Sequence, residues 1–263
     1  MALPFFSIDF KANDLIKIFF SIIFPIKKDK VEKKYISLLK NRFPNKNVSI
    51  LPSARLGFYL TLKNYFKEGD EIIFSSMSFP LYVKIAKQLR LKVVLIDVDK
   101  STLNINHLKI ESRITSQTKG IVATHLFGYP CKITEIYKIA QKYNLKLIED
   151  CAQSFNSFYA DKETGTFGDV GIFSTSLLKI PTTLSGGILI TKDKELSLEI
   201  ENWSKKNLKN NFSINIKLLI KNMLSILNSY PIIYSILSDK IFSFLNKYNP
   251  RIYRKILYSG MGI

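Results

Sequence analysis

The sequence predicts a three-layer α/β fold, in which helices flank a mostly parallel sheet and a helical C-terminal segment follows. From residue 48 onward, short apolar runs alternate with amphipathic segments, as expected for strands buried between helices. One run, residues 145–148, ends at Glu149 and Asp150, and ligands bind at the carboxyl ends of strands in open α/β sheets. The 263 residues, 46% of them apolar, are enough for a full core.

The chain is predicted to have three parts. Residues 1–45 are expected to form a helical arm, with Asp14 capping one helix and residues 27–39 forming a basic amphipathic helix. Residues 46–195 carry the alternating pattern. Residues 196–263 are apolar and basic with helical spacing, and are interpreted as helices or the start of a small domain.

The first strand and helix of the alternating region predict an anion site. Residues 48–51 form the strand, Ser53 is a suitable N-cap, and residues 55–66 form the helix. A helix that begins at a strand end offers unbonded N–H groups and a positive dipole, which suit a phosphate. Arg55 either adds a charge-assisted bond to that phosphate or is a surface arginine, and the sequence favours neither.

The later elements follow from the same patterns. In order, they are a strand at 92–98, a loop and helix around 104–112, a strand at 120–124, a helix at 132–143, a strand from about 168 to 174, and a helix from about 194. His125 follows one of these strands, so it either contacts a ligand in the cleft or is a structural histidine.

The basic composition leaves several partners open. The chain has 39 lysines and arginines against 21 acidic residues, for a formal charge of +18. Such a charge suits nucleic acid, a membrane surface or an anionic substrate, or reflects solvated lysines on every face. No run of five basic residues occurs, so no nucleic-acid partner is predicted.

Two apolar stretches bear on membrane insertion. Residues 15–26 are interrupted by Lys17 and lack a small-residue cleavage site, so no signal peptide is predicted. Residues 222–238 are uncharged but just short of a spanning length, and Pro231 breaks them. An interfacial or partner-covered helical hairpin is therefore favoured over a transmembrane helix.

The two cysteines, Cys131 and Cys151, are far apart in the sequence. They make neither a disulfide framework nor a metal motif, so no metal site is predicted. Each is interpreted as a small buried hydrophobic residue, and a reducing cytoplasm fits.

The chemistry is concentrated in residues 144–191. Asp150, Ser174 and Lys179 bring a carboxylate, a hydroxyl and an amine to one edge of the predicted sheet. Pyridoxal phosphate requires an amine for its aldehyde, a carboxylate at its ring nitrogen and donors for its phosphate. These three residues fit that cofactor.

This stretch resembles the DegT/StrS family of sugar-nucleotide aminotransferases, which are fold type I pyridoxal-phosphate enzymes. The resemblance covers about residues 48–191. Its four blocks have the family's spacing: Ile148-Glu149-Asp150-Cys151-Ala152-Gln153, then Gly168-Asp169-Val170-Gly171-Ile172-Phe173-Ser174, then Lys179, then Gly186-Gly187.

The resemblance implies a role for each site residue. Lys179 would be the catalytic Schiff-base lysine and proton shuttle, and Asp150 would pair with the ring nitrogen. Gln153 would donate a hydrogen bond near the phenolic oxygen. Ser174 would bind the cofactor phosphate, and so would Ala54 and Arg55, which occupy the family's Gly-Thr positions.

Two further residues have weaker assignments. By the match of Ser78-Phe79 to a family motif, Phe79 would stack on the cofactor ring, although it is one of 19 phenylalanines and otherwise a core residue. His125 is a tentative substrate contact.

The implied activity is a ping-pong transfer of an amino group, from glutamate or a similar donor, to a nucleotide-linked ketosugar for cell-surface polysaccharide. Family dehydratases carry histidine at the position of Lys179, so lysine favours transamination. A cytoplasmic homodimer with sites between its subunits is expected. The chain stops before the family's small domain would form, so the alternative is a truncated or non-catalytic relative that binds a membrane surface or a partner.

Overall fold

The computed structural model describes residues 13, 14, 16, 17, 20, 28–208, 212–231, 235 and 239–251. Contacts divide the chain into two units, residues 29–209 and residues 1–28 with 210–263. The first of these, the sheet unit, contains every predicted site residue. It extends beyond the predicted limits of 46 and 195 because a helix packs onto the sheet at each end.

The strands are β1 (Asn47–Leu51), β2 (Glu71–Ser75), β3 (Lys92–Ile96), β4 (Thr118–Thr124), β5 (Lys146–Asp150), β6 (Phe158–Tyr159), β7 (Lys162–Glu163), β8 (Val170–Ser174) and β9 (Gly187–Thr191). The helices of this region are α1 (Lys28–Arg42), α2 (Ala54–Tyr65), α3 (Pro80–Gln88), α4 (Ile133–Lys142) and α5 (Lys194–Asn207). Short 3-10 turns lie at His107–Lys109, Glu111–Arg113 and Leu126–Gly128.

The main sheet has seven strands in the order β1-β9-β8-β5-β4-β2-β3. Strands β3, β2, β4, β5 and β8 are parallel, whereas β9 is antiparallel to both of its neighbours. The predicted mostly parallel sheet is therefore confirmed. The carboxyl ends of β4, β5 and β8 meet at one edge, because Thr124 pairs with Asp150 and Asp150 pairs with Ile172.

Helices cover both faces of the sheet, which confirms the three layers. Buried residues of α2, α3 and α5 pack on one face, against strand residues such as Ile148 and Ile172. The other face packs α4 against residues such as Leu147, and α1 against residues such as Phe173. Alternate residues of each strand point to opposite faces, so two residues next to each other in a strand contact different helical layers.

The segment predicted as a loop and helix around residues 104–112 contains two 3-10 turns instead. The Asn106 side chain accepts the Leu108 N–H and starts the first turn, and the buried Ile110 joins the two. Because each turn is only three residues long, it does not develop into an α-helix.

The second unit contains α6 (Phe212–Asn228) and α7 (Asp239–Tyr248). Within the part of the chain that the structure describes, no helix combines the length and apolar character needed to cross a membrane. Most of the predicted helix capped by Asp14, and residues 232–234 and 236–238 of the predicted hairpin, lie outside the described residues.

Candidate active site

Asp150 is the last residue of β5 and is 3% exposed. Its Oδ1 accepts the Ala152 N–H at 3.1 Å, and Thr124 at the end of β4 provides a side-chain hydrogen bond. Burial raises the pKa of this carboxyl group, while the Ala152 N–H and the positive charge of Lys179 lower it. Asp150 is therefore a buried acid at the predicted edge.

Lys179 lies in the irregular segment between β8 and β9 and is partly buried. Its N–H donates to the Ser176 carbonyl at 2.9 Å. Burial lowers the pKa of its amine, and the Asp150 carboxylate raises it. The structure thus brings the predicted amine and the predicted acid into the same electrostatic environment.

Ser174 ends β8 on the same face as Asp150, because it lies two residues beyond Ile172, which pairs with Asp150. Its Oγ donates to the Ser176 Oγ at 3.2 Å. In the next strand, Gly187 pairs with both Ser174 and Leu51. Ser174 is therefore close to the turn that follows β1.

The start of α2 is the predicted anion site. The Ser53 Oγ accepts the Leu56 N–H at 3.2 Å, which confirms Ser53 as the N-cap. Ala54, 6% exposed, begins the helix, and a Cβ on Gly187 would lie only 2.3 Å from its nitrogen. Glycine at 187 thus lets β9 pass under the helix start, whose N–H groups suit an anion.

Arg55 is exposed, but its charge acts on a buried residue of α3. Burial and then the Asp150 charge raise the pKa of Tyr82, and the Arg55 guanidinium lowers it. Tyr82 stacks on Phe58 with ring centroids 3.9 Å apart. Arg55 is the second residue of α2, which packs on the face of the sheet that carries Ile148 and Asp150.

Phe79 and Gln153 border this region. Phe79 immediately precedes α3, is partly buried and meets Tyr82 edge-on at 5.7 Å, so it contributes to the core. Gln153 is exposed, and its Oε1 accepts the Phe127 N–H at 3.0 Å. This bond orients the Gln153 amide with its NH₂ group as the remaining donor.

His125 is buried on the face of the sheet opposite to Asp150. Its side chain is 0% exposed, with Nε2 3.1 Å from Glu149 Oε2 and Nδ1 accepting the Cys131 N–H at 3.2 Å. His125 follows Thr124, which bonds to Asp150, so the alternation of side chains directs the imidazole to the opposite face. The structural alternative for His125 is therefore the one that the geometry supports.

Sequence reasoning missed Tyr82 and Thr124. Nothing in the sequence distinguishes Tyr82 from the other 12 tyrosines. Thr124 had a usable signal, because it ends a strand that runs parallel to the strand of Asp150.

The described edge combines a buried carboxylate, an amine of lowered pKa, a strand-end hydroxyl and an uncrowded helix start. These groups fit pyridoxal phosphate, which needs each of them. With the three-layer sheet, they define the class: the protein has the large-domain fold of fold type I pyridoxal-phosphate enzymes.

Residues 39–216 match the DegT/DnrJ/EryC1/StrS aminotransferase family, and the chain belongs to that family. The GDP-perosamine synthase of Escherichia coli O157:H7 is 35% identical over 167 residues, which are 62% of this chain and 46% of that enzyme. The chain spans less than half the length of the curated relatives it matches.

Two solved structures share the fold. An aminotransferase from Psychrobacter cryohalolentis is 32% identical with a TM-score of 0.58, and the match covers 60% of this chain and 40% of that one. The E. coli GDP-4-keto-6-deoxy-D-mannose-3-dehydratase with bound hydrated PLP is 25% identical with a TM-score of 0.68, covering 80% and 58%.

Proposed function

We propose that the protein acts as a pyridoxal-phosphate-dependent aminotransferase that delivers an amino group to a nucleotide-linked ketosugar. The observation that carries this proposal is that Asp150 and Ser174 end neighbouring strands on one face of the sheet, beside the start of α2, with Lys179 five residues after Ser174. Family membership, and relatives named as a perosamine synthase and a dTDP-aminosugar transaminase, support it. They also favour the enzyme over a non-catalytic membrane- or partner-binding relative.

Each group has a defined task in this proposal. The Asp150 carboxylate would keep a proton at the ring nitrogen, and the Lys179 amine would hold the cofactor through its aldehyde. The start of α2, Ser174 and Arg55 bind the phosphate. When bound, the cofactor supplies an electron sink for the substrate's Cα–H bond.

Lys179 also determines the type of reaction. Its pKa is lowered by burial, so a larger share of the amine is neutral and able to accept a proton at neutral pH. With the cofactor bound, this amine would be the group that takes up and returns the proton of the substrate carbon. A lysine, rather than the histidine of family dehydratases, therefore favours transamination.

The amino donor, the assembly and the cell compartment are also part of the proposal. Glutamate is the proposed donor, and a homodimer with sites between its subunits is the proposed assembly. Cys131 and Cys151 are free, buried thiols, which suits a reducing cytoplasm. The basic charge of the chain supports at most weak association with a membrane surface.

The proposal is tested by titrating the purified chain with pyridoxal phosphate and recording the absorption band of the lysine-bound cofactor. We expect a saturable band in the wild type, its loss in Lys179→Ala, and its retention in the exposed control Lys67→Ala. Glutamate should then convert the bound cofactor to its amine form and release 2-oxoglutarate. Absence of the band in the wild type would refute the proposed function.

A further inference from the structure

A buried hydrogen-bond network lies behind Asp150, on the opposite face of β5. Its centre is Glu149, which is 0% exposed. Glu149 Oε1 accepts the Gly168 N–H at 2.6 Å, and Oε2 accepts the Gly165 N–H at 2.7 Å. The His125 Nε2, 3.1 Å from Oε2, is the third group that faces this carboxylate.

The hydrogen bonds determine which nitrogen of His125 carries the proton. The Cys131 N–H donates to His125 Nδ1, so that nitrogen carries no proton and Nε2–H is the donor to Glu149. On the other side of Glu149, the Nζ of buried Lys46 lies 3.4 Å from the Gly168 carbonyl oxygen. Burial lowers the pKa of Lys46, and the charge of Glu149 raises it. The buried carboxylate is thus matched by donors and a cation.

These bonds connect the three segments whose ends form the candidate site. The His125 N–H donates to the Asp150 carbonyl at 3.1 Å, which links β4 to β5. The Cys151 N–H donates to the Ile172 carbonyl at 2.8 Å, which links β5 to β8. Glu149 adds the turn before β8, because it binds the N–H groups at residues 165 and 168.

The network also reaches Gln153. His125 leads directly into the turn at Leu126–Gly128, and the Phe127 N–H in that turn donates to Gln153 Oε1. A shift of His125 therefore moves the Gln153 amide as well as the Asp150 backbone.

The donor atoms of His125, Glu149 and Cys151 all lie within 4.8 Å of one another, which raises the question of a metal. Both Glu149 oxygens and both His125 nitrogens already have hydrogen-bond partners, so these groups act as a network rather than as free ligands.

We propose that Glu149 and His125 are positioning residues that hold Asp150 and Gln153 at the geometry the cofactor ring requires. This inference rests on the proposed function. It predicts that the Nε2–H bond to Glu149, more than the volume of either side chain, determines cofactor affinity.

Paired substitutions separate the contribution of the hydrogen bond to Glu149 from that of side-chain volume. In His125→Asn, the side-chain oxygen takes the place of Nδ1 and accepts the Cys131 N–H, but the side chain no longer donates to Glu149. In His125→Gln, the side-chain nitrogen takes the place of Nε2 and still donates to Glu149. Glu149→Gln keeps the shape and presents an NH₂ group to a donor N–H. Ile136→Ala in α4 removes apolar packing without removing a hydrogen bond, and is the control for loss of stability.

Two readouts are used, the dissociation constant of pyridoxal phosphate and amide hydrogen exchange at Ala152, whose N–H reports the position of the Asp150 carboxylate. We expect His125→Asn and Glu149→Gln to weaken cofactor binding at least tenfold and to speed exchange at Ala152. His125→Gln should weaken binding less than threefold, and Ile136→Ala should leave both readouts near the wild-type values.

The proposal is overturned if His125→Asn and His125→Gln behave alike, or if Ile136→Ala weakens binding as much as His125→Asn. Should Glu149→Gln fail to fold, the His125 pair still decides the question. If the wild type binds no pyridoxal phosphate, the proposed function fails by itself. The exchange at Ala152, measured without cofactor, then supports or overturns the positioning role.

Discussion

At the carboxyl edge of the sheet, the charge of Lys179 lowers the pKa of Asp150 and the charge of Asp150 raises the pKa of Lys179. Burial disfavours the charged form of both groups. A buried carboxylate opposes folding but suits the binding of a protonated ring nitrogen. The same pair therefore connects stability, protonation and cofactor binding, and each connection can be tested.

Asp150→Asn should stabilise the cofactor-free protein at neutral pH by about 1 kcal/mol, because it removes a buried charge. Since the pKa of Asp150 is raised, the folded state holds this proton more tightly than the unfolded state does. Its contribution to stability is therefore full below the ordinary value of 3.8 and is lost as pH rises through the raised pKa. Urea unfolding across this range should show that decline in the wild type relative to Asp150→Asn. If the free energies of unfolding of the two proteins changed with pH in the same way, the raised pKa of Asp150 would be contradicted.

The reactivity of Lys179 should depend on Asp150. Asp150 raises the pKa of Lys179, so Asp150→Asn should lower it further and shift acetylation of Lys179 to lower pH. Peptide mass spectrometry after brief acetylation at several pH values measures this midpoint. Asp97→Asn removes an exposed carboxylate and should leave the midpoint unchanged. An upward shift in Asp150→Asn would refute the proposed electrostatic coupling.

The close contact between β9 and α2 makes Gly187 sensitive to any side chain. A Cβ there would meet the backbone of Ala54 at 2.3 Å, so Gly187→Ala should cost about 1–3 kcal/mol and weaken the binding of pyridoxal phosphate. At Gly57 a Cβ meets the side chains of Leu51 and Leu189, with nearest distances of 3.1 and 3.6 Å. Gly57→Ala should therefore change the free energy of unfolding by about 1 kcal/mol or less. Equal effects of the two substitutions would contradict this account.

Arg42 attaches α1 to the hairpin of β6 and β7. Its guanidinium donates to Glu163 Oε1 at 2.8 Å and to Asn156 Oδ1 at 2.6 Å, and it lies 4.6 Å from the Phe155 ring centroid. Arg42→Ala should lower the free energy of unfolding by about 1–2 kcal/mol, measured by urea denaturation. Arg42→Lys keeps the charge without the planar fork and should recover part of this loss.

The ion pair between Arg90 and Glu68 is the matched control, because both side chains are mostly exposed. Arg90→Ala should have little effect, as is usual for exposed pairs. If Arg90→Ala were as damaging as Arg42→Ala, the attachment of α1 would not depend on the partly buried contacts described above.

Much of this site could be predicted from the sequence, because the information is local. The apolar run before Asp150 identified β5, and Ser53 identified the start of α2. Both depend on neighbours within a few residues. The spacing from Ser174 to Lys179 added the amine through its resemblance to a family motif.

The remaining features depend on contacts between distant segments. The sequence left two interpretations of His125 open, because its orientation follows from the register between β4 and β5 and from Glu149, 24 residues away. Tyr82 was missed because its proximity to Asp150 arises only when α3 packs on the sheet. The antiparallel direction of β9 likewise has no signature within its five residues.

The most direct test of the central claim is to find where the cofactor attaches. The chain is incubated with pyridoxal phosphate, reduced with borohydride, digested and analysed by peptide mass spectrometry. The account predicts one predominant modified residue, Lys179, with the label reduced in Asp150→Asn. Labelling spread over the surface lysines, or concentrated on another lysine, would contradict it.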